Sequence, residues 1–156
     1  MSFTVTIAVS KNFESQASPD KVFALLADVP KSASHFPDVE KLEDMGGNTF
    51  RWTMEKIGIG DRTLQQTIYA STYRSDSSSM TVDWVPVDGV GNARVDGGWR
   101  LTPSSAGTKV LLNTKGELTV DFPGFLQFLL SPLIEMAFAQ KIDQYVSNIQ
   151  ESLGRL

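Results

Sequence analysis

The sequence contains no cysteine, a single histidine and little positive charge. The lack of cysteine excludes disulfides, thiolate nucleophiles and zinc-thiolate sites, and it is typical of a reducing compartment. Because His35 is the only histidine, any Ser-His or histidine-metal mechanism would have to use that one position. Residues 1–10 alternate like a strand and lack the basic start and apolar core of a signal peptide. We therefore expect a cytoplasmic protein.

Lysine and arginine number 14 against 18 aspartates and glutamates, a formal net charge of -4. No basic run or stripe is present to neutralise phosphates, so we expect no nucleic-acid partner. Hydrophobic residues make up 41% of the chain and charged residues 21%, which is ordinary for a folded globular protein. The length of 156 residues is that of one domain, and we treat residues 1–156 as a single ligand-binding domain.

The sequence also lacks the spacing of a metal or phosphate site. The acids in segment 38–44 do not follow a calcium-loop pattern. Segments 58–60 and 89–91 each contain two glycines, but neither leads into a helix with the lysine that a phosphate loop requires. We predict no metal, no cofactor and no catalytic residue. His35 is expected to be a partly exposed residue at a helix end.

Residues 131–153 have the periodicity of a long amphipathic helix. Apolar side chains recur there every three or four residues, at Ile134, Phe138, Ile142, Tyr145, Ile149 and Leu153. Ser131 is predicted to cap this helix and Pro132 to be its first residue. A helix with one apolar stripe needs a broad apolar surface to cover, and the residues before it indicate a β-sheet.

Seven strands and two short helices are predicted before this long helix. The first strand covers residues 3–9. One short helix follows Ser18-Pro19 and ends near residue 28, Val29-Pro30 breaks the chain direction, and a second short helix covers residues 31–36. Six further strands separated by glycine- or serine-rich turns are predicted at residues 39–45, 49–57, 62–74, 80–87, 93–102 and 108–120. The prediction is an α+β fold with a seven-stranded antiparallel sheet around the C-terminal helix.

Strand parity separates an apolar inner face from a charged outer face. The inner set contains Phe50, Trp52, Met54, Met80, Val82, Trp84, Ala93, Val95, Trp99, Leu101, Val110 and Leu112. The outer set contains Arg51, Asp83, Arg94, Asp96, Arg100 and Lys109, which are expected to pair across strands. Gly97 shares the inner face, and it is expected to widen the space beside Trp99.

Two segments carry a family resemblance. Residues 22–43, VFALLADVPKSASHFPDVEKLE, and residues 91–112, GNARVDGGWRLTPSSAGTKVLL, resemble the early helices and the paired late strands of the START-like, helix-grip superfamily. That superfamily includes birch-type pollen allergens, polyketide cyclases and coenzyme Q-binding proteins. The resemblance implies a cavity between the sheet and the C-terminal helix. It does not specify a ligand, because such domains hold sterols, lipids, quinones, polyketides or hormones, and some are enzymes.

The three inner tryptophans admit two interpretations. Large aromatics beneath a helix usually fill a core, but three indoles on separate strands can also surround a space for a flat or chain-like apolar ligand. In the second case the predicted lining is Phe36, Trp52, Met54, Met80, Trp84, Val95, Trp99, Leu112, Ile134, Phe138 and Ile142. The fourth strand is rich in polar residues over 65–73, and whichever parity turns inward can orient a ligand head.

The first functional hypothesis is binding or transport of a small hydrophobic ligand such as a lipid, a quinone or a polyketide-like molecule. The alternative is an enzyme of the polyketide cyclase or aromatase type. That enzyme would need an acid or base on the inner face, and the strand acids Asp83, Asp96 and Glu117 are predicted to point outward or to lie near a strand end. Binding is therefore favoured.

The segment 122–130, FPGFLQFLL, is more apolar than a connection usually is. It is too short, and too interrupted by Pro123 and Gly124, to cross a membrane. It is either buried against the short helices or exposed as a hydrophobic rim, at which Phe125, Phe128 and Leu129 contact a membrane or a partner protein.

Overall fold

Seven antiparallel strands form one sheet that is covered by three helices, the α+β arrangement that the sequence predicts. The computed structural model describes residues 1–59 and 61–156. The predicted turn over 58–61 includes residue 60, which lies outside the described residues. The elements in chain order are β1 (Phe3–Ser15), α1 (Pro19–Ala27), α2 (Val29–Ala33), β2 (Val39–Gly46), β3 (Thr49–Met54), β4 (Ile57–Ile59), β5 (Arg62–Gln65), β6 (Ile68–Asp76), β7 (Thr81–Pro86), β8 (Ala93–Pro103), β9 (Thr108–Val120), a 3₁₀ turn (Gly124–Leu126) and α3 (Gln127–Leu153).

The strand order is β1-β9-β8-β7-β6-β3-β2, with β4 and β5 paired as a separate ribbon. β1 runs to Ser15, six residues beyond the prediction, because it pairs along all of β9 from Phe3↔Val120 to Ser15↔Thr108. The predicted fourth strand is divided into β5 and β6. The division has a hydrogen-bond cause, since the Gln66 side chain donates to the Met54 carbonyl at 3.2 Å and the Asn92 side chain donates to the Gln66 carbonyl at 2.8 Å.

The C-terminal helix begins at Gln127, four residues before the predicted start. The 3₁₀ turn leads directly into the helix at Gln127, so Pro132 lies inside the helix and is not its first residue. Ser131 is not a cap, and its buried Oγ has no hydrogen-bond partner among the described residues. An interior proline removes one backbone hydrogen bond. The extra turn buries Leu130, which joins Ile134 in a cluster against β1, and we infer that this burial offsets the loss.

The second short helix was misplaced by the prediction. It begins at Val29 and ends at Ala33, with Asp28 as its cap accepting from the Lys31 N–H at 3.1 Å. Pro30 therefore starts this helix instead of preceding it, because a proline in the first turn gives up no intrahelical hydrogen bond.

Inner-face parity is confirmed for all three tryptophans, which are 5%, 9% and 1% exposed at positions 52, 84 and 99. Met80 departs from the prediction because it lies in the turn before β7, with a left-handed φ of 56°. On the outer face Arg100 pairs with Asp83 across strands at 2.6 Å, and Arg94 pairs with Asp88. The inner face of the sheet therefore meets the helices, and the charged face is directed to solvent.

Candidate functional site

A cavity lies between the inner face of the sheet and helices α2 and α3. Its cavity volume is about 100 Å³, within about 910 Å³ of space that is free of protein atoms and includes the part open to solvent. Nine of the eleven predicted lining residues surround it, namely Phe36, Trp52, Met54, Trp84, Val95, Trp99, Leu112, Phe138 and Ile142. The tryptophans thus belong to the buried core and to the cavity wall at once.

Met80 and Ile134 are not among the residues that line this cavity. Met80 packs at the edge of the core cluster around Trp84 and Trp99. Ile134 is fully buried in a different cluster, where the first half of α3 meets Phe3, Val5 and Ile7 of β1. Parity and helical periodicity identify a buried face, but they do not show which part of that face borders the void.

Two glycines have roles that differ from the prediction. A Cβ at Gly97 would lie 2.3 Å from the Asn113 carbonyl oxygen and 2.9 Å from the Trp84 ring. The space that a side chain at Gly97 would need is therefore already occupied by the backbone of β9 and by the Trp84 indole. Gly116 was not predicted, and it lines the cavity. A Cβ there would lie 3.4 Å from Leu118 and 3.9 Å from Val95, which are ordinary contacts. The glycine that leaves the cavity open is therefore Gly116.

Aromatic rings form one wall of the cavity. Trp52 of β3 and Tyr69 of β6 are cross-strand partners, and their rings stack at 5.7 Å with an interplanar angle of 10°. The Phe36 ring lies edge-on to the Trp52 ring, with a distance of 5.8 Å between the ring centroids, and its centroid is 5.0 Å from that of the Tyr145 ring of α3. Such a wall offers flat faces and ring edges, which suit a ring-shaped apolar ligand.

The polar groups on the wall are hydroxyls. Tyr73 accepts a hydrogen bond from the Trp52 indole N–H at 3.0 Å. The Ser32 and Tyr145 hydroxyls are bonded to each other at 2.5 Å, which joins α2 to α3. The Tyr69 hydroxyl has no such partner among the described residues. Of the polar fourth-strand residues, the odd-numbered set is the one that turns inward, and it brings Thr67, Tyr69 and Tyr73 to the cavity.

Sequence reasoning missed Ser32, Thr114 and the hydroxyl of Tyr145 as lining groups. Tyr145 was on the predicted helical stripe, so its position was available from periodicity. Ser32 was not, because its approach to Tyr145 depends on how α2 packs against a helix 113 residues later in the chain.

Burial keeps the three tyrosines in their neutral form. It raises the pKa of Tyr145 to about 12, with the Ser32 hydroxyl and the Trp99 indole acting in the opposite direction. Burial also raises the pKa of Tyr69 and of Tyr73 well above the usual range, and a second cause in each case is a neighbouring tyrosine. Of the described residues that line the cavity, none is charged. The site therefore presents phenol O–H groups in a low-dielectric space.

His35 lies outside the cavity wall, past the end of α2. Its Nδ1 is 2.8 Å from the Lys31 carbonyl oxygen, to which it donates, and its Nε2 is hydrogen-bonded to the Ser152 hydroxyl at 2.6 Å. The Asn148 side chain donates to the His35 carbonyl at 2.9 Å. These contacts attach α2 to α3. No group of three or more metal-ligating side chains occurs in residues 1–59 and 61–156.

The apolar segment 122–130, which includes the first turn of α3, exposes three of its large side chains. Phe125, Phe128 and Leu129 are 78%, 86% and 58% exposed, whereas Leu130 faces the core. The interpretation that these three residues are buried against the short helices is therefore wrong, and their contact with a membrane or a partner protein stays a prediction. Within the part of the chain that the structure describes, no helix has the length and apolar character to span a bilayer.

A seven-stranded sheet that encloses an uncharged cavity against a long C-terminal helix defines a START-like, helix-grip domain. The chain belongs to the family described as polyketide cyclase / dehydrase and lipid transport, whose model matches residues 6–154. No curated protein matches the sequence at a significant level.

Three solved structures illustrate the likeness. The protein TTHA0849 from Thermus thermophilus has a TM-score of 0.70 and 19% identity, over 95% of this chain and 96% of that one. The Zhui aromatase/cyclase from Streptomyces sp. R1128 has a TM-score of 0.65 and 17% identity, over 99% and 95%. A START superfamily protein from Mycobacterium smegmatis has a TM-score of 0.64 and 12% identity, over 95% and 97%. At these identities the likeness shows the fold.

Proposed function

We propose that this protein binds or transports a small, uncharged, ring-containing hydrophobic molecule in the cavity between the sheet and α3. The observation that carries the proposal is the chemistry of the wall, in which the polar side-chain groups among the aromatic and aliphatic residues are uncharged hydroxyls and indole N–H groups. A buried ionised group without a partner charge is strongly unfavourable. A ligand with a carboxylate or an ammonium group would meet no counter-charge on the described wall, so a neutral ligand fits better.

The alternative is an enzyme of the polyketide cyclase or aromatase type. The description of the family and the likeness to the Zhui aromatase/cyclase favour it. Such chemistry needs a group that takes a proton at neutral pH. The described wall offers only hydroxyls, and the raised pKa of Tyr145 makes that phenol a proton donor and not a base. We therefore favour ligand binding or transport over catalysis.

Native mass spectrometry of the purified protein, followed by extraction and identification of whatever copurifies, tests the proposal directly. Titration with quinones, sterols and fatty acids gives a second readout, because Trp52, Trp84 and Trp99 line the cavity and their emission should change as it fills. We expect a saturable response to at least one uncharged class, and a weaker response to ionised fatty acids. No copurifying molecule and no saturable response in any class would contradict the proposal.

A matched variant locates the response. Replacing Gly116 by valine should place a side chain in the cavity without a clash at its Cβ, since the nearest atoms lie at ordinary contact distances. A response that occurs in the cavity should be weakened in this variant. A response that occurs on the exposed segment around Phe128 should not change.

A further inference from the structure

The hydrogen bonds at the cavity wall determine which polar role is still open to each hydroxyl. An indole N–H only donates, so the Tyr73 oxygen accepts from Trp52 and the Tyr73 proton remains unused by that bond. Tyr73 can therefore donate this proton to a molecule in the cavity, whereas Thr114 already donates its own proton to the Asp96 carbonyl at 3.3 Å.

Tyr69 adds a second donor on the same strand. It lies four residues before Tyr73 on β6, both side chains line the cavity, and Trp52 contacts both of them by stacking on one and donating to the other. No hydrogen bond between described residues uses the Tyr69 hydroxyl. Only one of the two protons of the Ser32 and Tyr145 hydroxyls is used in the hydrogen bond between them, so the other is also left without an acceptor. Along this wall, three hydroxyl protons therefore have no acceptor among the described residues.

From this inventory we infer that the ligand carries a hydrogen-bond acceptor, of the ketone or quinone carbonyl type, on a flat uncharged ring system, and that Tyr69 donates to it, with Tyr73 as a second available donor on the same wall. The inference rests on the proposed function and narrows its ligand class. A carbonyl oxygen has two lone pairs and no proton, so it can accept these protons without adding one of its own. A pure hydrocarbon would leave them without an acceptor.

The test uses a pair of probes that differ only at one carbon, fluorenone and fluorene, which share a flat three-ring skeleton with a carbonyl or a methylene at the same position. We expect fluorenone to bind the wild-type protein about five- to tenfold more tightly than fluorene, which corresponds to one or two net hydrogen bonds. Dissociation constants are measured by calorimetry. In isotope-edited infrared spectra the carbonyl stretch of bound fluorenone should lie below its frequency in an apolar solvent.

Tyr69→Phe removes a donor without breaking any hydrogen bond between described residues, so it is the primary variant. It should reduce the preference for fluorenone to about twofold or less and shift the carbonyl stretch upward, while fluorene binds as before. Tyr73→Phe should act in the same direction, although it also leaves the Trp52 N–H without its acceptor. Ser71→Ala is the control. Its hydroxyl lies between the two tyrosines on β6 but donates to the Val95 carbonyl at 2.9 Å, and the preference should persist in this variant.

The outcomes separate the two proposals. Equal binding of both probes, weakened equally by Gly116→Val, would leave the carrier function standing and would refute the acceptor inference. An unchanged preference in both tyrosine variants would refute it as well. Failure of both probes to bind the wild-type protein would overturn the proposed function, and the inference would fall with it.

Discussion

Gly116 and Gly97 lie on neighbouring strands, and the structure predicts opposite consequences for the same substitution at the two positions. Gly116→Val projects three carbon atoms into the cavity, where the nearest atoms to the new Cβ are 3.4 Å and 3.9 Å away. Gly97→Val places its Cβ 2.3 Å from the Asn113 carbonyl oxygen, which real Cβ atoms do not approach so closely. Neither glycine has a left-handed φ, so packing alone decides between them.

The expected magnitudes follow from three terms. Burying aliphatic carbon is worth about 0.8 kcal/mol per methylene group, a valine in place of glycine restricts the unfolded chain by about 0.4 to 1 kcal/mol, and valine suits a strand better than glycine does. After discounting for incomplete contact in a partly open cavity, we expect Gly116→Val to raise the free energy of unfolding by about 1 to 2 kcal/mol. Gly97→Val should lower it by about 3 kcal/mol or more, because backbone and Trp84 must both move.

Urea unfolding followed by circular dichroism measures both effects. With an m-value of about 2 kcal/mol/M, the midpoint for Gly116→Val should rise by roughly 0.5 to 1 M at unchanged slope. The same protein should bind fluorenone more weakly, so stability and ligand affinity move in opposite directions. A loss of stability in Gly116→Val comparable to that in Gly97→Val would show that no open space exists beside Gly116, and the cavity itself would then be in doubt.

Four further changes test other parts of the structure. Phe138→Ala should lower the free energy of unfolding by about 1 to 2 kcal/mol, because Phe138 already borders a void. Ile149 is fully buried, so Ile149→Ala should cost more, roughly 2 to 5 kcal/mol, and chemical denaturation compares the two variants. His35→Ala should keep ligand binding and lose about 1 kcal/mol of stability with its contacts to α3, and a loss of binding in a folded variant would contradict its structural role. The stability that the burial of Tyr145 contributes should be fully present below pH 10 and should fall from there toward pH 12 by about 1.4 kcal/mol per pH unit, because the folded pKa of Tyr145 is raised to about 12 from 10.0 and the unfolded chain loses the proton first. Phenolate absorbance should therefore appear only as the protein unfolds. Phe128→Ser should leave stability within about 0.5 kcal/mol of wild type and reduce sedimentation with phosphatidylcholine vesicles if this exposed side chain contacts membranes.

Local patterns were sufficient for most of the fold. The period-2 alternation places the tryptophans on the inner face, because a strand has only two faces and the outer one is marked by charge. The start of α3 was missed for a physical reason. Ser131-Pro132 is a good local signal for a helix start, but the burial of Leu130 against β1 depends on contacts more than 100 residues away in sequence, which local capping rules do not contain.

The cavity was predictable to a smaller degree, because a void is a property of facing elements and not of one strand. The β8–β9 turn at 104–107 sets a register in which Gly116 lies opposite Val95. Counting residues outward from that turn along both strands would therefore have identified Gly116 as an inner-face glycine. The role of Gly97 could not be obtained in this way. It depends on the Trp84 side chain of the next strand, whose rotamer covers the glycine.

The tyrosines indicate why this cavity is more than a packing defect. A phenylalanine at position 69 would stack on Trp52 equally well and would not present a hydroxyl that has no partner among the described residues. A wall optimised only for stability would therefore carry phenylalanine there, or would close around the hydroxyl. This wall instead keeps Tyr69 four residues before Tyr73, whose hydroxyl accepts from an indole and retains its own proton, and it leaves Gly116 without a side chain in the same void. Space, flat aromatic faces and unused protons occur together, and a neutral ring compound with an accepting oxygen is the kind of molecule that uses all three.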